Sequence, residues 1–598
     1  MISNSNSNNS KSNNISNSNS NNLKSNTIIK ESNDEYSSSL SNNSAISNGK
    51  SANAWTNFKD SFKPPVKNNN NKDLEFYNDE GIRQDESAAP LKQNLKKRQL
   101  QMIALGGCVG SGLLVASGLA LQNGPLALVI AWLIVGSFLY CTMQSLAELC
   151  SYLPVSGSFA TYSARFIDSS WGFAMGWNYA LFWVIVLPLE LVASSMTINF
   201  WQSNINSVVW VAVFYVLIFL LNLCGNKGFG EFEFIASIIK LLGVVGFNIL
   251  AIIIICGGTG NQGYIGGKNW HPPLQTGFKG IVSTCLTATY SLAGTELVGL
   301  TSSESEENPA KSFRSTIKQI NYRILIFYLL TLTLVGFLVP ATYSELAGSG
   351  SADTSSSPFV IAINAAQIKV LPSIFNVVVL VALLAISNSA VYGFSRTCIG
   401  LAEQGLAPSC FKYIDRKGRP LVGMGISAVF GLLSFVSASK YEDEVFAWLV
   451  AISGLSTLFT WGSINGAYIR FRGAMKYQNR SIDELPYKST TGVIGAYYGL
   501  IMNIVVLALQ FWLALYPIGK QPHAKDFFKT YLGAVIVLIF YVVHKLWTRN
   551  WKLCLDYKNI DLDSGKAPNI DLVRQEIEEE KELIKTKPFY YRVYRFLC

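Results

Sequence analysis

The sequence predicts an all-α integral membrane protein with twelve transmembrane helices. Three observations predict it. Hydrophobic residues make up 49% of the 598 positions and charged residues only 14%, whereas about a quarter of an ordinary soluble domain is charged. The charge is uneven, collecting in the two ends and a few short loops. Between those clusters run apolar stretches of about 18–30 residues, each enough to cross a ~30 Å hydrocarbon core at ~1.5 Å per residue.

Residues 1–95 are rich in Asn and Ser and carry too little apolar surface to offset chain entropy. They are expected to form a disordered cytoplasmic tail. No apolar run precedes residue 100, so no cleavable signal peptide is expected and the first span serves as its own insertion signal. Lys96, Lys97 and Arg98 then anchor a helix start on the cytoplasmic side.

A twelve-span domain occupies 96–550. Its spans fall near 100–121, 126–149, 171–199, 206–224, 232–256, 279–302, 323–345, 372–400, 421–438, 444–470, 493–517 and 530–549. The first repeat covers 100–256 and the second 279–470. Helices eleven and twelve occupy 493–549, and 551–598 form a cytoplasmic C-tail. With the N-terminus inside, the inner loops hold about 15 Lys/Arg and the outer loops about 7, as the positive-inside rule requires. An even number of spans places the C-terminus inside as well.

The net charge of +10 does not indicate nucleic acid, because the basic residues flank apolar spans and set topology there. Cys108, Cys141, Cys285 and Cys398 lie inside apolar segments. No CxxC or Cys/His spacing for a metal occurs, and His271, His523 and His544 are scattered. No cofactor is implied. No paired nucleophile and base or phosphate loop in a strand–helix context marks an enzyme.

Two interruptions carry the functional reading. Span 1 contains Gly106-Gly-Cys-Val-Gly-Ser-Gly112, and span 6 contains Ser291-Leu-Ala-Gly-Thr-Glu296. Glycine costs a helix about 1 kcal/mol against alanine. Unwound backbone in a bilayer is tolerated only where it is buried in protein or lines a wet cavity. Each interruption opens a block of five spans, and five being odd, the second block inserts upside down. Interrupted helices at matching positions of inverted halves point to a transporter's binding site.

Such groups suit a zwitterion. Amides and the hydroxyl at Gly110, Ser111 and Gly112 are expected to hold a carboxylate. Carbonyls near Cys108 and across Ser291, Ala293 and Gly294 are expected to hold an ammonium. Tyr290 precedes the second break and reads either as a gate over the substrate or as core packing. Glu190, Lys240 and Glu296 lie at membrane depth, where ionisable residues are costly and functional by default. Lys240 titrates readily when desolvated and places a cation beside the first break. Glu296 reads as a proton carrier or as a brace for the broken helix. Glu190, just after Pro188, reads as a structural charge. Thr295, Asn388 and Ser453 are candidate pocket walls.

At this point the residues resemble the fungal amino-acid permeases of the amino acid–polyamine–organocation superfamily. The matching text includes MIALGGCVGSGLLVASG (102–118), AELCSYLPVSGSFATYSARFID (147–168), AIIIICGGTGNQGYIGGKNWHPP (251–273), RTCIGLAEQGLAPSCFKYIDRKGRP (396–420) and EEEKELIKTKPFYYRVYRFLC (578–598). It covers roughly residues 90–598 and is similar above all to broad-range neutral amino-acid permeases. The resemblance implies a LeuT-like 5+5 inverted repeat with unwound helices 1 and 6, plus two extra helices. It implies proton symport of amino acids at a plasma membrane, with both termini cytoplasmic.

By position, the resemblance gives Ser111 and Gly112 the carboxylate turn, Ser291 and Ala293 the ammonium carbonyls, Tyr290 the gate, Glu296 the span 6 acid and Lys240 the lysine that replaces a sodium site. Cys108, Leu114 and Tyr290 depart modestly from the family's usual residues. Cys598 ends an aromatic tail similar to a palmitoylation signal. Lys11, Lys24, Lys30 and Lys50 are candidate sites for ubiquitin-ligase partners. The alternatives are a non-transporting amino-acid sensor and a permease specialised for basic amino acids.

Overall fold

The computed structural model describes residues 61–63, 99, 101–103, 107, 109–201, 205–258, 263–304, 309–343, 346, 357–368, 370–438, 442–519, 521–567 and 570–589. Residues 61–63 belong to a unit of their own, Met1–Lys63, and everything below concerns the second, Pro64–Cys598. The expected disordered tail thus lies almost wholly outside the described residues, as do Cys108 and Cys598.

Among the described residues every regular element is a helix. Seven helices are long and apolar enough to cross a membrane. The chain enters through two short pieces, α1 (Ser111–Leu114) and α2 (Ala116–Leu121), then α3 (Pro125–Tyr152) and the short α4 (Phe159–Phe166). Next come α5 (Ser169–Ile198), α6 (Ser207–Leu223) and α7 (Gly225–Ile255). The second broken helix is α8 (Gly277–Leu292) with α9 (Leu297–Thr301). One continuous helix follows, made of α10 (Pro309–Tyr322), a π-helical stretch Arg323–Leu330, and α11 (Thr331–Leu338). After α12 (Pro358–Ala365) come α13 (Leu371–Glu403), α14 (Leu421–Gly431), α15 (Glu442–Tyr477), α16 (Gly492–Leu515), α17 (Ala524–Thr548) and α18 (Ile570–Thr586).

Local chemistry explains the starts. Pro125 opens α3, where its missing amide costs nothing. Asp168 caps α5 by accepting from the amides of Ser170 and Trp171. Its carboxylate also meets Lys545 of α17 at 2.9 Å, tying the two helices together. α5 packs most extensively on α13. There Gly393 is obligatory, since a Cβ would lie 2.7 Å from the indole of Trp183.

The described part of the expected C-tail is not loose. Residues 551–567 form a strap across the ends of α3, α4 and α15. The amide of Leu555 donates to the carbonyl of Ile167 at 2.8 Å, and that of Ala567 to Tyr152 at 2.9 Å. Arg470 donates to the carbonyls of Phe166 and Leu555. Gln478 donates to those of Tyr557 and Ile560. Ile560 and Leu562 of the strap are buried. Arg480 joins Glu484 (2.7 Å) to Asp563 of the strap (3.0 Å).

Arg480's hydrogen bonds hold the Glu484 carboxyl below its usual range. Lys566 of the strap, 3.9 Å from Glu484, adds to that lowering, so docking gains from the ionised carboxylate above the ordinary glutamate value of about 4.3 and loses that contribution as pH falls through the lowered value. Strap docking is therefore expected to weaken in strong acid and in Arg480→Ala. A spin label at exposed Lys558 should become more mobile in both cases.

Candidate functional site

Inside a helix each carbonyl is satisfied by an amide four residues on, and a break leaves such groups to other partners. Ala293 is extended and Gly294 left-handed (φ 84°), which stops α8. The Ser291 carbonyl then receives the Tyr328 hydroxyl at 3.0 Å. The Leu292 carbonyl receives the Thr295 hydroxyl at 2.6 Å. The Gly294 amide donates to Glu296 Oε1 at 3.2 Å, and Trp461 Nε1 donates to Glu296 Oε2 at 2.9 Å. Both carboxylate oxygens of Glu296 are thus bound to groups that hold the break. Of its two expected roles, the brace is the one with contacts.

The first break is arranged differently. α1 begins at Ser111, and its bonding starts with the Leu114 amide on the Gly110 carbonyl. The amides of Ser111, Gly112 and Leu113 therefore have no helical acceptor. After the kink at Val115, Ser117 and Ser357 hydroxyls cap the carbonyls of Leu113 and Leu114. The two breaks touch: a Cβ on Gly112 would lie 2.4 Å from Ser291 Cα.

A small cavity lies where they meet. Glu190 of α5 reaches into this junction. Its Oε1 accepts from Ser111 Oγ at 2.5 Å and from the Tyr290 hydroxyl at 3.1 Å. Its Oε2 is buried with no hydrogen-bond partner among the described residues, and so is Ser291 Oγ. The sequence reading took Glu190 as a structural charge, yet it lines the cavity. Its signal was Pro188, which interrupts the bonding of α5 one turn away.

The expected residues divide. Gly110, Ser111, Gly112, Tyr290, Ser291, Ala293 and Gly294 gather at the junction, and Ser111, Gly112, Tyr290, Ser291 and Ala293 line the cavity. Ser111's hydroxyl is engaged by Glu190, so of the donors expected there for a carboxylate the hydroxyl is already used. Thr295 sits behind the break, bound to Arg323 at 2.5 Å. Asn388 accepts from Asn222 of α6 at 2.8 Å, away from the cavity. Ser453 is fully buried and does not line it. The apolar wall is made instead by Phe182, Trp183 and Val186 of α5 and Ile386 of α13.

Lys240 is fully buried and paired with Glu233 of its own helix at 3.1 Å. The seven-residue spacing, two helical turns, was the available signal. Glu148, Glu304, Arg323 and Arg396 were also missed. Glu304 binds Arg396 at 3.0 Å and the Tyr392 hydroxyl at 2.9 Å. Glu148 pairs with Arg472 at 2.9 Å. These lie near span ends, where charge is ordinarily read as solvated. No group of His, Cys, Asp or Glu among the described residues is placed to hold a metal.

Two broken helices meeting at a buried polar cavity inside an all-helical, membrane-crossing bundle define a membrane transporter. The fold agrees with a solved one: a manganese transporter from Eremococcus coleocola aligns with TM-score 0.52 at 16% identity, covering 76% of this chain and 94% of that one. The sequence matches the family described as "Amino acid permease" over residues 99–556, and the chain belongs to that family. It is a permease and not an enzyme. It is 68% identical to "Amino-acid permease GAP6" of Candida albicans over 91% of this chain and 95% of that one. It is 48% identical to "General amino-acid permease GAP1" of Saccharomyces cerevisiae, covering 93% and 94%. It is 46% identical to the tryptophan permease of that yeast, covering 85% and 87%. The chain is therefore an amino-acid transporter.

Two outcomes are expected. Gly112→Ala forces one break to shift, so uptake should fall at least about tenfold while surface biotinylation still finds the protein. Lys240→Met strands a buried Glu233 and should cost about 3–5 kcal/mol. Pairing it with Glu233→Leu should restore folded protein on size-exclusion chromatography.

Proposed function

We propose that this permease imports a broad range of neutral amino acids together with a proton across the plasma membrane, by alternating access. The arrangement is twelve spans in a 5+5 inverted repeat plus two, with both termini cytoplasmic. One observation carries the reading: Glu190 lines the cavity where the two breaks meet, and one of its carboxylate oxygens has no hydrogen-bond partner among the described residues.

A bare carboxylate in a dry site costs many kcal/mol unless paired or protonated. A substrate ammonium supplies the pairing at Glu190 Oε2 and Ser291 Oγ. A proton supplies it when the substrate has left. The substrate carboxylate lies against the open amides of α1, whose partial positive charge favours it. Amide donors for the anion and a carboxylate for the cation thus lie around one small space. Glu296 keeps the second break in shape, and Lys240 neutralises Glu233 behind the first.

Side-chain selectivity follows from the wall of Phe182, Trp183, Val186 and Ile386. Glu190 is the one charged side chain among the described lining residues. Once it holds the α-ammonium, no second anion remains for a basic side chain, which favours neutral substrates. The names of the relatives support amino acids as the cargo. One proton charge moving through ~100 mV is worth ~2.3 kcal/mol, enough for about fifty-fold accumulation of a zwitterion.

The test is uptake of L-[14C]leucine into cells lacking their own permeases. Wild-type uptake should be abolished by a protonophore, and Glu190→Gln should lose concentrative uptake with unchanged surface abundance. Accumulation that survives the protonophore removes proton coupling. Wild-type behaviour in Glu190→Gln removes Glu190 from the mechanism. Excess unlabelled lysine should compete more weakly than unlabelled methionine.

A further inference from the structure

The helix that follows the second break carries a feature that transport, as described so far, does not use. Between α10 and α11, residues Arg323–Leu330 are π-helical for eight residues. Such turns are rare and recur at functional sites. Two side chains of this stretch, both fully buried, reach the same place. Tyr328 donates its hydroxyl to the Ser291 carbonyl at 3.0 Å. Arg323 donates to Thr295 Oγ1 at 2.5 Å. Thr295 in turn donates to the Leu292 carbonyl at 2.6 Å.

Ser291 and Leu292 carry the two carbonyls that a continuous helix would have bonded to the amides of Thr295 and Glu296. The break orphans both, and the π-helical stretch answers both: one directly, the other through Thr295. Arg323 and Tyr328 are five residues apart. In an α-helix they would point about 140° apart, at ~100° per residue. A π-helix closes its bonds from i to i+5 and so turns residues five apart toward one face. The irregular turn is what lets a single helix brace both carbonyls.

We propose that Tyr328 is a positioning residue for the substrate site, and that the π-helical turn delivers it together with Arg323 to the second break. Tyr328 sets the direction of the Ser291 peptide. That peptide and the Ser291 side chain line the cavity beside Glu190 and press against Gly112 of the first break. The ring of Tyr328 packs in the core and its hydroxyl does the orienting. The consequence for binding rests on the reading that Ser291 and Glu190 face the substrate ammonium.

The variants are Tyr328→Phe, which keeps the ring, Thr295→Val, which removes the relay, and Thr295→Ser, which keeps its hydroxyl. In L-[14C]leucine uptake, Tyr328→Phe and Thr295→Val should each raise KM about three- to tenfold, the size of one neutral hydrogen bond. Vmax should stay within about twofold of wild type at equal surface abundance, and Thr295→Ser should stay near wild type in KM. In hydrogen–deuterium exchange on the full-length purified protein, Tyr328→Phe should speed exchange of the peptide spanning 290–298 and leave other helices unchanged.

An unchanged KM in Tyr328→Phe, or unchanged exchange over 290–298, overturns the positioning role. A fall in Vmax and surface abundance with KM unmoved also overturns it, since that marks a packing residue. Failure of the Glu190 reading shows separately, as wild-type transport by Glu190→Gln. Exchange over 290–298 reads the brace without any substrate.

Discussion

A bilayer offers no water to satisfy the main chain, so each amide and carbonyl at membrane depth needs a partner within the protein. The rest of this structure follows from how two helices meet that demand where they stop being helices. At the second break, side chains take over: Tyr328 and Thr295 serve the carbonyls, and Glu296, held by Trp461, serves the Gly294 amide. At the first, Ser117 and Ser357 serve carbonyls while the leading amides of α1 have no helical acceptor among the described residues. The contrast separates a braced break from a presenting one. Gly112 lets the two approach within backbone contact of each other, and the cavity is the space left around that contact.

The buried charges obey the same economy of partners. Lys240 with Glu233, Arg396 with Glu304 and Arg419 with Asp415 are close ion pairs with little or no exposure. The members of such pairs are costly to separate. Glu190 differs because hydroxyls, not a cation, meet its carboxylate, and one of its oxygens remains open. A charge held by neutral donors next to open space is suited to a cationic visitor. That difference gives an otherwise ordinary intramembrane glutamate its place at the centre of the site.

Rigid surroundings make this contrast usable. α5 supplies Glu190, Phe182, Trp183 and Val186 from one continuous helix, packed along α13 and tied by Asp168 to α17. The 551–567 strap joins the ends of α3, α4 and α15 by hydrogen bonds to its main chain. The broken helices therefore sit among elements that are packed on and tied to one another.

The sequence by itself determined that the chain is helical and membrane-embedded, because apolar length and charge placement are local properties that a bilayer reads directly. It also located both breaks, since four glycines in seven residues cannot hold a helix, and it named Ser111, Gly112, Tyr290 and Ser291 at the junction. Partners across the bundle were beyond its reach. Glu190 and Glu296 look alike in sequence, each an acid in an apolar span. Packing gave Glu296 an indole and an amide while leaving Glu190 an open oxygen. Asn388 looked like a pocket wall until Asn222 of another helix claimed it. Tyr328 and Arg323 gained meaning only from a π-helical turn that propensity does not signal. Which polar atoms remain unsatisfied is a property of the assembled bundle, since each answer depends on donors from helices far apart in the chain.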